Sequence, residues 1–443
     1  MDFVAGVEDI YPLARFALSG NDAQFLDAAL EAIKTLKDTV PTIRKKMHAQ
    51  ALYEFIIRPN NIPPASYIDA IQAICNLSAE GQVQNMTNRL WTCRQRLNSF
   101  TPTTNHAAYA LCGIIRQYAS YSSLLGKPEI GEQILRDELS KVDLLSGVID
   151  TYTLSKIKVN YMNRRCVCLK GMGDMKLAEE IGKKALEMAL QYDHKEFACL
   201  ILIDLCGIYR SEKKDFEHYS NYVERALSFY EVNRKEINEL EPSIEFSCLE
   251  NKAHLEGLRG NIQVAIRSAE QLIRLTEKSY SHYYMLRGLL AKAVLNCRQQ
   301  LSETQLDKQD LDLLKEMINE IEDLSIISRI DRFYIKALHL HAILNCHTGN
   351  THGAKALFVA ALEKLESDLQ KNTKNTYITP SNGALLWDAA NFWIEYMIEE
   401  PFPIKHYLLR GTNVSDIHKA ISNRQVKVPF TLFATESFNY PFP

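Results

Sequence analysis

The chain has 443 residues, 46% of them hydrophobic and 24% charged, which is ample for a large buried core. Its 51 Lys and Arg nearly cancel 54 Asp and Glu, leaving a formal charge of −3 and excluding a whole-molecule basic field for nucleic acid or anionic lipid. Only 18 Gly and 14 Pro occur, too few for a turn-rich β protein.

The chain opens MDFVAGVEDIYPLARF, with early acidic residues and no basic stretch leading into a long apolar run, so the pattern is neither a signal nor a transit peptide. Asn21 is placed to cap a helix through AQFLDAALEAIKTLK, and Val40-Pro41 marks a break before TIRKKMHAQALYEFII. RPNNIPP closes this unit. Residues 1–70 are therefore predicted to be helical hairpins forming an N-terminal cap.

Residues 71–366 carry helical patterning with short, evenly placed breakers. In 178–190, Ala178, Ile181, Ala185, Leu186 and Ala189 form one helical stripe. Gly81, Gly126, Gly173, Gly260 and Gly349 are spaced 45, 47, 87 and 89 residues apart. The two long intervals are double the short ones, and the missing breakers fall near Lys214-Asp215 and Glu303. A period of about 44 residues with two helices per unit signals an α-solenoid. Glycine suits the turn because the residue after a helix end is commonly left-handed.

The residues around these breakers resemble the tetratricopeptide (TPR) repeat. That pattern sets bulky and small residues on helix A, then Gly-Asp/Asn, an early Ala in helix B, and a closing Ala-Leu. In 159–186 the matching residues are Met162, Cys166, Leu169, Gly173-Asp174, Ala178 and Ala185-Leu186. In 335–362 they are Leu338, Ala342, Gly349-Asn350, Ala354, Phe358 and Ala361-Leu362. In 246–272 they are Leu249, Ala253, Gly260-Asn261, Ala265, Ala269 and Leu272, and a fourth unit keeps Leu202, Cys206, Tyr209, Asp215-Phe216 and Ala226-Leu227. The closing Pro and early Trp of the family are missing, and the period exceeds its 34 residues. Longer helices follow, and HEAT-type and proteasome-lid-type solenoids remain open as neighbours. The resemblance implies an all-α fold, a right-handed superhelix of antiparallel helix pairs.

Beyond 366 the character changes. SDLQKNTKNTYITPSNG is a polar loop, and ALLWDAANFWIEYMIE is a strongly apolar helix. RQVKVPFTLFATESFNYPFP is extended, because its prolines exclude a central helix or strand. Residues 384–443 are thus expected to be a C-terminal helical cap and an aromatic tail, packed on the chain itself or on a partner.

No catalytic constellation emerges by type and spacing. His339, His341, His347, His352 and Cys346 invite a metal reading, but helical geometry points His341 nearly opposite His339. Cys166-Val-Cys168 is read as core thiols, and Gly171-Met-Gly173 lacks the strand and third glycine of a dinucleotide fingerprint. The chain is expected to be non-catalytic, without cofactor or metal. The ten cysteines include no CxxC pair and indicate a reducing, intracellular setting, cytoplasmic or nuclear. The longest apolar stretch, 197–209, is broken by Asp204 and too short to span a membrane.

The resemblance also implies where a partner sits. Family groove positions carried over are Asn160, Asn163, Val167 and Lys170; then Ser247, Glu250, His254 and Gly257; then Lys336, His339, Ile343 and Cys346. The expected role is a protein–protein interaction scaffold or adaptor in a multiprotein complex, holding an extended or helical segment of another protein. Neither direct nucleic-acid contact nor membrane contact is expected. Two alternatives stay open: a ligand- or peptide-sensing regulator, and a helical-repeat factor associated with nucleic acid through local basic ridges.

Overall fold

A computed structural model describes residues 101–372, apart from 125–126, 173, 210–215, 242, 280–281, 302–307 and 329–330. The predicted cap (1–70), the C-terminal unit (384–443) and the breakers Gly81, Gly126 and Gly173 lie outside the described residues. Those residues form twelve α-helices and no strand. In chain order they are α1 (Asn105–Leu124), α2 (Pro128–Val142), α3 (Thr151–Met172), α4 (Met175–Gln191), α5 (Lys195–Ile208) and α6 (Phe216–Leu240). They continue with α7 (Ser243–Leu258), α8 (Ile262–Ser279), α9 (His282–Leu301), α10 (Lys308–Ser328), α11 (Asp331–His347) and α12 (Thr351–Asn372).

Each helix packs on the next, and short connections make neighbours antiparallel. The odd-numbered helices also pack on one another in series, α1 on α3, α3 on α5, and so on to α11. The result is a TPR-like α-solenoid of six helix pairs, with α1, α3, α5, α7, α9 and α11 as its inner row. Inner helices begin at residues 105, 151, 195, 243, 282 and 331, which brackets the expected period. The breakers expected near Lys214-Asp215 and Glu303 fall outside the described residues, between α5 and α6 and between α9 and α10.

The turn chemistry explains the recurring Gly-Asp/Asn. Gly260 and Gly349 have φ of 84° and 77°, and the next amide closes each helix end: Asn261 to the Glu256 carbonyl and Asn350 to the Asn345 carbonyl, both at 2.8 Å. The polar residue then caps the following helix. Asn350 Oδ1 accepts from the Gly353 amide at 3.0 Å, and Asp174 Oδ1 accepts from that of Leu177 at 3.3 Å. The α4–α5 turn uses the same closure without glycine. Asp193 takes φ of 55° while the His194 amide reaches the Ala189 carbonyl at 2.8 Å.

Small residues set the helix spacing. Ala253, Ala269 and Ala291 meet where α7, α8 and α9 cross. A Cβ on Gly182 of α4 would stand 2.8 Å from Leu205 and 3.2 Å from Cys166, so α4 nests against both α3 and α5. The apolar helix α5 is almost wholly buried because four neighbours enclose it. Among the described residues, no helix is long and apolar enough to cross a membrane.

Candidate interaction cleft

The residues carried over from the family pattern all lie on inner-row helices, α3, α7 and α11. Asn160, Asn163, Val167, Lys170, Ser247, Glu250, His254, Gly257, Lys336, His339 and Ile343 are buried, and Cys346 is half-buried. As the chain stands, these side chains pack between helices and present almost no surface. Glu250 forms an ion pair with Arg287 of α9, whose guanidinium lies 5.5 and 5.3 Å from the Tyr283 and Tyr284 ring centres. His339 packs on Phe358 with ring centres 5.8 Å apart. Burial, and then the charge of Lys336, pull its pKa down to about 3.

A small recess lies about one turn upstream, at Lys156 of α3 and Ile244 of α7. A cleft of 130 Å³ is walled by Tyr109 and Arg116 of α1, Lys156 of α3, and Glu196, Phe197 and Leu200 of α5. Leu240, Glu241 and Ile244, where α6 passes into α7, complete it. Four successive inner helices therefore converge on one small space.

Two ion pairs cross between elements there. Lys156 Nζ lies 2.7 Å from Glu196, and 5.0 and 6.0 Å from the ring centres of Tyr109 and Phe197. Arg116 reaches Glu241 at 4.0 Å, tying α1 to the chain just before α7. Burial works against the Lys156 ammonium, but the Glu196 carboxylate, together with Tyr109 and Tyr152, outweighs it and the pKa rises. Burial also pushes the Tyr109 phenol up. At the start of α5, buried His194 meets Ser155 Oγ through Nε2 at 2.8 Å, with the Tyr152 ring edge-on at 4.6 Å. An aliphatic floor, an aromatic wall and charges of both signs suit the anchoring of one or two side chains of a peptide segment.

The other candidate groups are placed as follows. His341 faces Glu322 of α10 at 3.6 Å, while His347 and His352 are exposed near the α11–α12 turn, so the histidines do not converge. Among the described residues, no group of three or more His, Cys, Asp or Glu is set to hold a metal ion. The eight described cysteines form no disulfide, and seven are buried. Burial pushes the thiols of Cys112, Cys166, Cys168 and Cys297 up to about 12, so they act as small hydrophobes.

No protein-family model matches the chain, and no curated protein matches its sequence. Among solved structures, it is similar to a Rap protein complexed with Competence and Sporulation Factor, at 10% identity and TM-score 0.49 over 83% of this chain and 99% of that one. It is also similar to Aspartyl phosphate phosphatase F from Bacillus subtilis, at 11% identity and TM-score 0.47 over 81% and 93%. A third is a STAND signal-transduction ATPase with a tetratricopeptide repeat sensor from Pyrococcus horikoshii, at 11% identity and TM-score 0.43; the match covers 83% of this chain and 54% of that one. The solenoid assignment rests on the helix packing and turn chemistry described above.

Proposed function

We propose that this chain is a non-catalytic interaction scaffold, a subunit or adaptor of a protein assembly, and that a segment of its partner enters the inner-row cleft. The observation that carries the reading is the convergence of α1, α3, α5 and α7 on an enclosed space between the Lys156–Glu196 and Arg116–Glu241 pairs. Four rigid helices hold those groups in place, so an extended or helical segment docks at little ordering cost to the scaffold. Side-chain anchors fill the floor at Leu200 and Ile244 against the Phe197 wall, while the ion pairs set register at the rim.

Site-directed photocrosslinking tests this. A crosslinking side chain at Leu200, in the cleft, is expected to capture a discrete partner from native cells, whereas one at Val232, 84% exposed on α6, does not. Arg116→Glu is expected to abolish the Leu200 crosslink. Equal capture from both positions, or capture indifferent to Arg116→Glu, would remove the cleft from the interaction.

A further inference from the structure

Far from the inner cleft, α10 carries six carboxylates against two lysines. Asp312 is compensated by Lys315 at 3.8 Å, while Glu322 has only His341 at 3.6 Å, whose pKa burial and then Lys315 pull down, so that it brings little charge. Glu316, Glu320 and Asp323 have no cation within ion-pairing distance among the described residues, and Lys292 is engaged with Glu270 at 2.9 Å. These three fall on one helical stripe with Leu313 before them and Ile327 after, an acidic centre between two apolar ends. Leu313 is 53% exposed and Ile327 62% exposed.

The stripe borders a cleft of 420 Å³ between α9 and α10, where Met285, Leu324 and Ile327 supply apolar walls and Asn319 a polar one. Burial and then the nearby Glu277 of α8 raise the Glu320 pKa, and Lys292 of α9 offsets them only in part. We propose that this cleft docks a basic amphipathic segment of a partner protein, its apolar side chains entering between Met285, Leu324 and Ile327 while its lysines or arginines meet Glu316, Glu320 and Asp323. Charge complementarity selects that occupant. An acidic segment or a nucleic acid is repelled, and a second copy presenting the same face sets carboxylates against carboxylates. The site is separate from the inner cleft and does not depend on it.

Fluorescence anisotropy with the full chain tests the assignment. The probe is a labelled sixteen-residue helix-forming peptide with leucines at i, i+4 and i+7 and lysines flanking that stripe. It is expected to bind with an affinity that falls as salt rises through about 0.1 M, where screening sets in. Neutralising the rim with Glu316→Gln, Glu320→Gln and Asp323→Asn is expected to weaken binding about tenfold, as is replacing the lysines of the peptide with glutamine. Ile327→Asp, at an exposed position, is expected to weaken it similarly while circular dichroism and the thermal midpoint stay unchanged. Arg116→Glu, at the more exposed rim of the inner cleft, is expected to leave it unaltered. A peptide of the same composition with scrambled spacing that binds equally well would overturn the proposal, since diffuse attraction then suffices. Unaltered binding by the neutralised rim would overturn it too. So would self-association, seen by sedimentation, that Ile327→Asp abolishes.

Discussion

Lys156 on α3 and Glu196 on α5 meet at 2.7 Å across the seam between two inner helices, directly beside the Tyr109 ring of α1. Glu196 is the more buried partner, so removing its cation leaves the larger penalty. Lys156→Met is expected to cost about 2–3 kcal/mol in urea unfolding, and Glu196→Gln about 1 kcal/mol. The double variant should recover part of the loss, giving a coupling of about 1 kcal/mol or more in a double-mutant cycle. Strictly additive losses would show that the pair contributes nothing as a pair.

Gly260 and Asp193 stand at equivalent helix ends, and each takes a positive φ. Gly260→Ala meets open space, so its expected cost of about 1 kcal/mol is conformational strain alone. Asp193→Gly should stabilise the chain by several tenths of a kcal/mol, because the left-handed strain it relieves exceeds the entropy glycine adds. The exposed contact of Asp193 with Lys195, 3.6 Å, is worth little against that. Chemical denaturation of both variants checks the opposite signs.

Two helix-interior glycines make a matched contrast. On Gly131 of α2, a Cβ would lie 2.9 Å from both the Ala119 carbonyl oxygen and Cys168 Sγ. The backbone of α1 cannot yield cheaply, so Gly131→Ala is expected to destabilise by about 1–3 kcal/mol. Gly113 of α1 has nothing within 4 Å of the same position. There, Gly113→Ala should gain up to about 1 kcal/mol from helix propensity. Thermal midpoints moving in the same direction would refute this picture of the α1–α2 spacing.

The repeat was legible in the sequence because its punctuation is local. The Gly-Asn pairs at 260–261 and 349–350 encode a helix end, Asn350 also supplies the next cap, and Ala253, Ala269 and Ala354 mark close crossings. The inner cleft was not legible by the same route. The groove positions carried over from the family begin at Asn160, whereas α3 begins at Thr151 and runs for 22 residues. Stepping one turn back from Asn160 reaches Lys156, so the helix length implied by the long period held the missing signal. Pairings such as Arg116 with Glu241 join elements remote in the chain, and no local spacing encodes them. The buried Glu250–Arg287 pair likewise emerges only once α7 and α9 are packed together.

His339 makes the stability of the solenoid depend on pH. Folded, it lies buried against Phe358 with the Lys336 charge beside it, and its pKa is pulled down to about 3. Unfolded, it titrates near the ordinary value of about 6.5. Between those values the unfolded chain binds the extra proton, so stability falls as the pH drops below about 6.5 and continues to fall toward 3. The slope from this residue approaches about 1.4 kcal/mol per pH unit. His194, also lowered by burial, adds to the fall in the same direction. Urea unfolding at pH 7.5 and 5.5 should therefore show wild type losing about 1.4 kcal/mol more than His339→Gln over that interval. The variant itself starts lower at pH 7.5, having lost packing on Phe358. An identical loss in both proteins would mean that His339 accepts its proton in the folded state without penalty, and the acid sensitivity would have to come from elsewhere in the chain.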